Sequence, residues 1–71
     1  MGKIMIVDDD ENLVRLLTAA FRAKNHEIVS AYTGKQAKQF LESEENANSL
    51  NLLILDRMLP DTDGTEILNF F

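Results

Sequence analysis

The 71-residue chain has no cysteine, a single proline and a single histidine, and only seven Lys and Arg against twelve Asp and Glu. Without cysteine it can form neither a disulfide nor a thiolate metal site, which suits a reducing compartment. The formal charge of −5 and the pI near 4.6 argue against a nucleic-acid surface, which needs clustered Lys and Arg. They argue equally against an anchor on an anionic membrane. No apolar run approaches the roughly 20 residues of a spanning helix. The short apolar stretch near the N-terminus runs into Asp8, Asp9 and Asp10, where a signal peptide would carry small residues. What remains is the reading of a soluble, cytoplasmic chain that binds neither nucleic acid nor membrane directly.

The hydrophobic fraction of 45% and the charged fraction of 27% are those of an ordinary globular protein. A domain this small buries only roughly 60% of the surface exposed by its unfolded chain, so its stability should be marginal. Short apolar runs alternate with helical periodicity. Lys3 to Val7 (KIMIV) is rich in β-branched residues and stops at the aspartates, the mark of a buried strand. Leu13, Leu16, Leu17, Ala20 and Phe21 then fall on one helix face, with Asp10 or Glu11 as cap. His26 to Tyr32 (HEIVSAY) is a more polar strand, expected nearer a sheet edge.

Thr33 and Gly34 open a second helix whose packing stripe is Ala37, Phe40 and Leu41. The acidic, Asn-containing stretch Glu42 to Asn51 loses periodicity and reads as a helix end and surface loop. The continuous run Leu52 to Leu55 predicts a third strand buried on both faces. Asp63 can cap a third helix, with Glu66 completing a capping-box-like pair. The order β-α-β-α-β-α is that of an α/β fold with a parallel sheet and right-handed crossovers.

The first strand thus ends at Asp8 and Asp9, and the third at Asp56. Singly, each reads as a helix cap or a strand end. If the strand order is 2-1-3, however, the first and third strands are neighbours and the three carboxylates meet at one corner, where ligands of such sheets bind. Clustered carboxylates repel one another unless a cation intervenes. An all-oxygen donor set without nearby Cys or His favours a hard ion such as Mg²⁺ over zinc.

Two stretches, IMIVDDDENL and LLILDRMLPDTDGTEIL, resemble the receiver domain of two-component response regulators. The Asp-x-Met-Leu-Pro-x-x-Asp-Gly arrangement after an apolar strand is the most specific part, and AYTGKQA is similar to the family's usual opening of its second helix. The resemblance spans residues 1–71 and implies a flavodoxin-like (βα)3 fragment of three parallel strands in the order 2-1-3, without the last two βα units of a complete receiver. It implies that Asp56 is the phosphoacceptor, taking a phosphoryl group from the phosphohistidine of a sensor histidine kinase. Asp9 would bind Mg²⁺ directly, Asp8 directly or through water, and the backbone carbonyl of Met58 would add a ligand. Pro60 would fix the loop and Gly64 the turn into the third helix. Such a module is a phosphoacceptor and not an enzyme.

The family also uses a Ser or Thr and a Lys from its last two strands, so phosphotransfer to residues 1–71 alone is expected to be impaired. The third strand, with Ile67, Leu68, Phe70 and Phe71 beyond it, would present an apolar edge, and a homodimer or higher homo-oligomer is expected to cover it. The alternative is a self-associating flavodoxin-like structural fragment without signalling activity. An aspartyl-phosphate phosphatase fits poorly, because Asp56 is followed by Arg57 and Met58 and lacks the second carboxylate of a D-x-D motif. Arg57, His26, Lys3 and Lys35 read as solvated surface residues, and Met5 and Met58 as packing or loop residues.

Overall fold

Three parallel strands form one sheet in the order β2-β1-β3, with β1 at Lys3–Val7, β2 at Glu27–Ala31 and β3 at Leu52–Leu55. The structure is a computed structural model and describes residues 2–56 and 59. Its helices are α1 (Glu11–Arg22), α2 (Gly34–Leu41) and α3 (Glu44–Ser49). The expected third helix, with Asp63, Gly64 and Glu66, lies outside the described residues, as do Met58, Pro60, Phe70 and Phe71.

Both neighbours of β1 run parallel to it, with Val7 opposite Ala31 on one side and Leu55 on the other. A central strand flanked on both edges and covered on both faces should be apolar throughout, and Ile4, Met5, Ile6 and Val7 are all buried. Alternation along the strand splits them between two cores. Met5 and Val7 join Ala31, Ala37, Leu41 and Leu59, while Ile4 and Ile6 pack with Val14.

Helix α1 begins at Asp10, whose carboxylate accepts the amides of Asn12 and Leu13 and so satisfies two of the helix's orphan donors. Leu17 and Phe21 of the expected face do pack inward, joined by Val14, which that face did not include, while Ala20 is exposed. Leu13 and Leu16 lie outward, Leu16 at 68% exposure. The apolar arc of this helix is wider than the surface the sheet offers it, so the sheet contacts choose which part is covered. Beyond the helix, Asn25 takes a left-handed conformation at φ 67°, which Asn tolerates better than most residues. The chain then reverses into β2.

Thr33 caps α2 by accepting the Gln36 amide, and Ala37 and Leu41 are buried with Phe40 packed beside them, as the periodicity predicts. The stretch read as a loop instead forms α3. Ser43 accepts the Asn46 amide at 3.3 Å, Glu44 and Glu45 occupy the first turn, and the Asn46 side chain donates to the Phe40 carbonyl at 3.1 Å. Cap chemistry and the helix dipole carry this helix, so apolar periodicity does not reveal it. Ala47 and Leu50 still pack against the core.

Strand β3 also differs from expectation. Leu52 is 49% exposed and Leu53, Ile54 and Leu55 are only half-buried. Among the described strands β3 is an edge, with β1 on one side alone, so its apolar run is covered less completely than that of β1. The polar strand β2 does lie at an edge, as expected.

His26 is tied in more firmly than a surface residue. Its Nδ1 accepts the Gly2 amide at 3.1 Å, and its ring meets Phe21 edge-on at 6.1 Å. Lys3 likewise has a partner, its Nζ standing 5.7 Å from the centre of the Phe40 ring.

Candidate functional site

The carboxyl ends of β1 and β3 lie side by side, because these two strands pair in parallel register. The pairing continues one step past the strands. The Asp56 amide donates to the Val7 carbonyl at 2.9 Å, while on the other side the Asp8 amide donates to the Ala31 carbonyl at 3.1 Å. The residues that follow β1 and β3 are therefore held by backbone hydrogen bonds at the sheet's edge, and do not hang from free loops. Side chains at this position are half in and half out of the sheet, and Asp8 and Asp56 are indeed half-buried, with Asp9 exposed.

One carboxylate oxygen from each of Asp8, Asp9 and Asp56 falls within 4.8 Å of the others. The strand order that the sequence reading made conditional is thus present, and it brings together the three acids that reading singled out. Asp10 is diverted from the cluster. Its carboxylate is committed to the first turn of α1, and its own amide donates to Asp8 Oδ1 at 3.0 Å. That bond orients Asp8 and leaves its second oxygen for another partner. The Met58 carbonyl, the fourth donor expected from the resemblance, lies outside the described residues.

The chemistry available to three carboxylates at this range is narrow. They are acceptor-only when ionised, and their mutual repulsion falls when a cation binds between them. Oxygen-only donors at such spacing suit a hard divalent ion of the Mg²⁺ or Ca²⁺ class. A carboxylate in such a cluster can also act as an oxygen nucleophile toward a phosphoryl or acyl group.

Similarity to known proteins points the same way. A family model described as the response regulator receiver domain matches residues 4–70. The chain is 35% identical over 65 residues to the alkaline phosphatase synthesis transcriptional regulatory protein PhoP of Bacillus subtilis, covering 92% of this chain and 25% of that protein. It is 35% identical over 68 residues to the transcriptional regulatory protein CpxR of Escherichia coli, covering 96% of this chain and 27% of that one.

Among solved structures, the receiver domain of the hybrid histidine kinase CckA superposes with a TM-score of 0.83 at 30% identity, covering 97% of this chain and 62% of the other. A response regulator receiver domain protein from Clostridium thermocellum, at 24% identity, shares the fold with a TM-score of 0.83 over 96% of this chain and 52% of its own. The chain thus spans about a quarter of the curated relatives' length. With its flavodoxin-like sheet order, its matched residues and its relatives in agreement, the chain belongs to the response regulator receiver domain family.

Proposed function

We propose that this chain is the phosphoacceptor module of a two-component phosphorelay, with Asp56 as the acceptor and Asp8 and Asp9 as the acids that hold Mg²⁺ beside it. The observation that carries this reading is the convergence of three carboxylates within 4.8 Å at the ends of two paired strands. A carboxylate oxygen of Asp56 attacks the phosphorus of a phosphohistidine on a sensor histidine kinase. The new O–P bond forms as the P–N bond breaks, and the imidazole leaves with the electron pair. Asp56 is consumed in this step as a stoichiometric acceptor, so the module is not itself an enzyme. When bound, Mg²⁺ screens the charge of the incoming phosphoryl oxygens.

The chain's own residues supply the rest. The Asp56 amide, bonded to Val7, fixes the acceptor's backbone, and the Asp10 amide holds Asp8 in place. The Met58 carbonyl is proposed as a further ligand. The partner would be a cytoplasmic kinase domain. No helix among the described residues is long and apolar enough to cross a membrane.

The test is incubation with a small phosphodonor and Mg²⁺, followed by intact mass and peptide mapping. The chain should gain one phosphoryl group on Asp56, and Asp56→Asn should gain none. Labelling slower than that of a full-length receiver is expected without the Ser or Thr and the Lys of the later strands; modification elsewhere, or none even after prolonged incubation at high donor concentration, would defeat the assignment.

A second reading concerns association. With Leu52 at 49% exposure and β3 at the edge of the described sheet, a homodimer joined at this edge would bury apolar surface. Sedimentation at micromolar concentration decides it, and a stable folded monomer refutes it.

A further inference from the structure

A second concave feature lies on the α1 side of β2, and none of its lining residues is acidic. It is a groove of about 300 Å³ between α1 and β2, floored by the buried Val14 and bordered by Ala19. Its other lining residues are Arg15, Thr18 and Arg22 on the helix and Ser30 and Tyr32 on the strand side. The helical spacing accounts for the first three. Positions i, i+3 and i+7 share a face, and two turns place the arginine Cα atoms roughly 10 Å apart along the axis. Strand periodicity accounts for the other two, since Ser30 and Tyr32 follow Ile28 at steps of two and Ile28 packs on the α1 side.

Two properties set this groove apart from an ordinary helix–sheet crevice. First, two exposed arginines line it in a chain of net charge −5, and no ion pair involving either is found among the described residues. Second, the Thr18 Oγ1 atom is enclosed and has no hydrogen-bond partner among the described residues. An enclosed hydroxyl without a partner is costly, and Thr in a helix has two accessible χ1 rotamers. Rotation about χ1 exchanges its methyl and hydroxyl groups without moving the backbone.

We propose that this groove is a binding site for a small organic phosphate, separate from the acidic corner. The phosphate would be held between Arg15 and Arg22, with the Ser30 hydroxyl donating to it and the Thr18 hydroxyl joining once turned outward about χ1, and a compact apolar or aromatic body would lie against Ala19 and the Tyr32 ring. Guanidinium forks match phosphate oxygens bidentately, and the volume suits a small ligand at the lower end of known sites. The inference does not depend on Asp56 being phosphorylated, and none of the three clustered aspartates lines the groove.

The experiment is an NMR titration of the ¹⁵N-labelled chain in EDTA, with phenyl phosphate, inorganic phosphate and benzoate as separate probes. Phenyl phosphate should give saturable shifts at the Arg15, Thr18, Arg22, Ser30 and Tyr32 amides and bind about tenfold more tightly than either other probe. Arg15→Gln and Arg22→Gln, both at exposed positions, should each weaken it about tenfold while leaving the acidic corner's shifts in place. Thr18→Val, which keeps the shape and removes the hydroxyl, should weaken binding without lowering the melting temperature. Shifts that are non-saturable and equal for all probes would reduce the groove to charge screening and overturn the site. Equal binding by benzoate would overturn the phosphate class. Shifts centred on Asp8, Asp9 and Asp56 would place the anion elsewhere.

Discussion

Replacing Asp9 by Asn removes one of the three charges at the acidic corner and with it two of three pairwise repulsions. At the outer limit of 4.8 Å, each repulsion is about 0.9 kcal/mol in bulk water and about 3.5 kcal/mol at the effective dielectric of a protein surface. Asp9 is exposed, so the lower figure governs. Asp8 and Asp9 also repel each other in the unfolded chain, which cancels part of the gain. The net expectation is that Asp9→Asn in EDTA at low salt is more stable than the wild type by about 1 kcal/mol, equivalent to about 4–8 °C in melting temperature for a domain of this size.

Magnesium should reverse the order. With a dissociation constant on the order of 1 mM, in keeping with a site of few protein ligands, about 10 mM Mg²⁺ stabilises the wild type by about 1.4 kcal/mol through mass action. The variant, having lost a ligand, should gain little. Thermal unfolding followed by circular dichroism, with and without Mg²⁺, measures all four values. Asp10→Asn is the control, because Asn caps a helix about as well as Asp and Asp10 is not one of the three clustered acids. Its response to Mg²⁺ should equal that of the wild type. The reasoning is refuted if Asp9→Asn is no more stable in EDTA, or if Mg²⁺ raises both melting temperatures equally.

Three further outcomes follow from the fold. Asp10→Ala strips the acceptor from the Asn12 and Leu13 amides and should cost about 1 kcal/mol in urea unfolding, the typical value for a lost cap; no change would mean that α1 does not need its cap. Ile6→Ala opens a cavity beneath α1 at a fully buried position and should cost about 2–5 kcal/mol, enough to unfold a marginally stable chain, as seen by loss of amide dispersion. Ser43→Ala removes the cap of α3 and should speed hydrogen exchange across Asn46 and Ala47 while leaving β1 amides protected; equal loss of protection in β1 would show that α3 is not an independent unit.

How legible each part was depended on which force made it. The strands β1 and β3 and the helix α2 stood out because apolar periodicity reports burial directly, and Asp10 and Thr33 because cap residues act within one turn. The helix α3 escaped notice because Ser43, two first-turn glutamates and the Asn46 bond to the Phe40 carbonyl stabilise it, and none of these leaves an apolar pattern. On α1, Leu17 and Phe21 were read correctly but Val14 was missed and Leu13, Leu16 and Ala20 were wrongly included, because the helix's apolar arc admits several orientations and only packing against the sheet selects one.

The sequence by itself determined that the chain is α/β, that aspartates follow its apolar strands, and that an all-oxygen donor set would favour a hard cation. These are properties of residue type and short spacing. Tertiary structure decided which residues are neighbours. Pairing β3 directly with β1 turned Asp8, Asp9 and Asp56 from separate strand ends into one cluster. Laying α1 across β2 drew Arg15, Thr18 and Arg22 up to Ser30 and Tyr32. Both juxtapositions join residues far apart in the chain, and local propensity carries no information about strand order or helix placement.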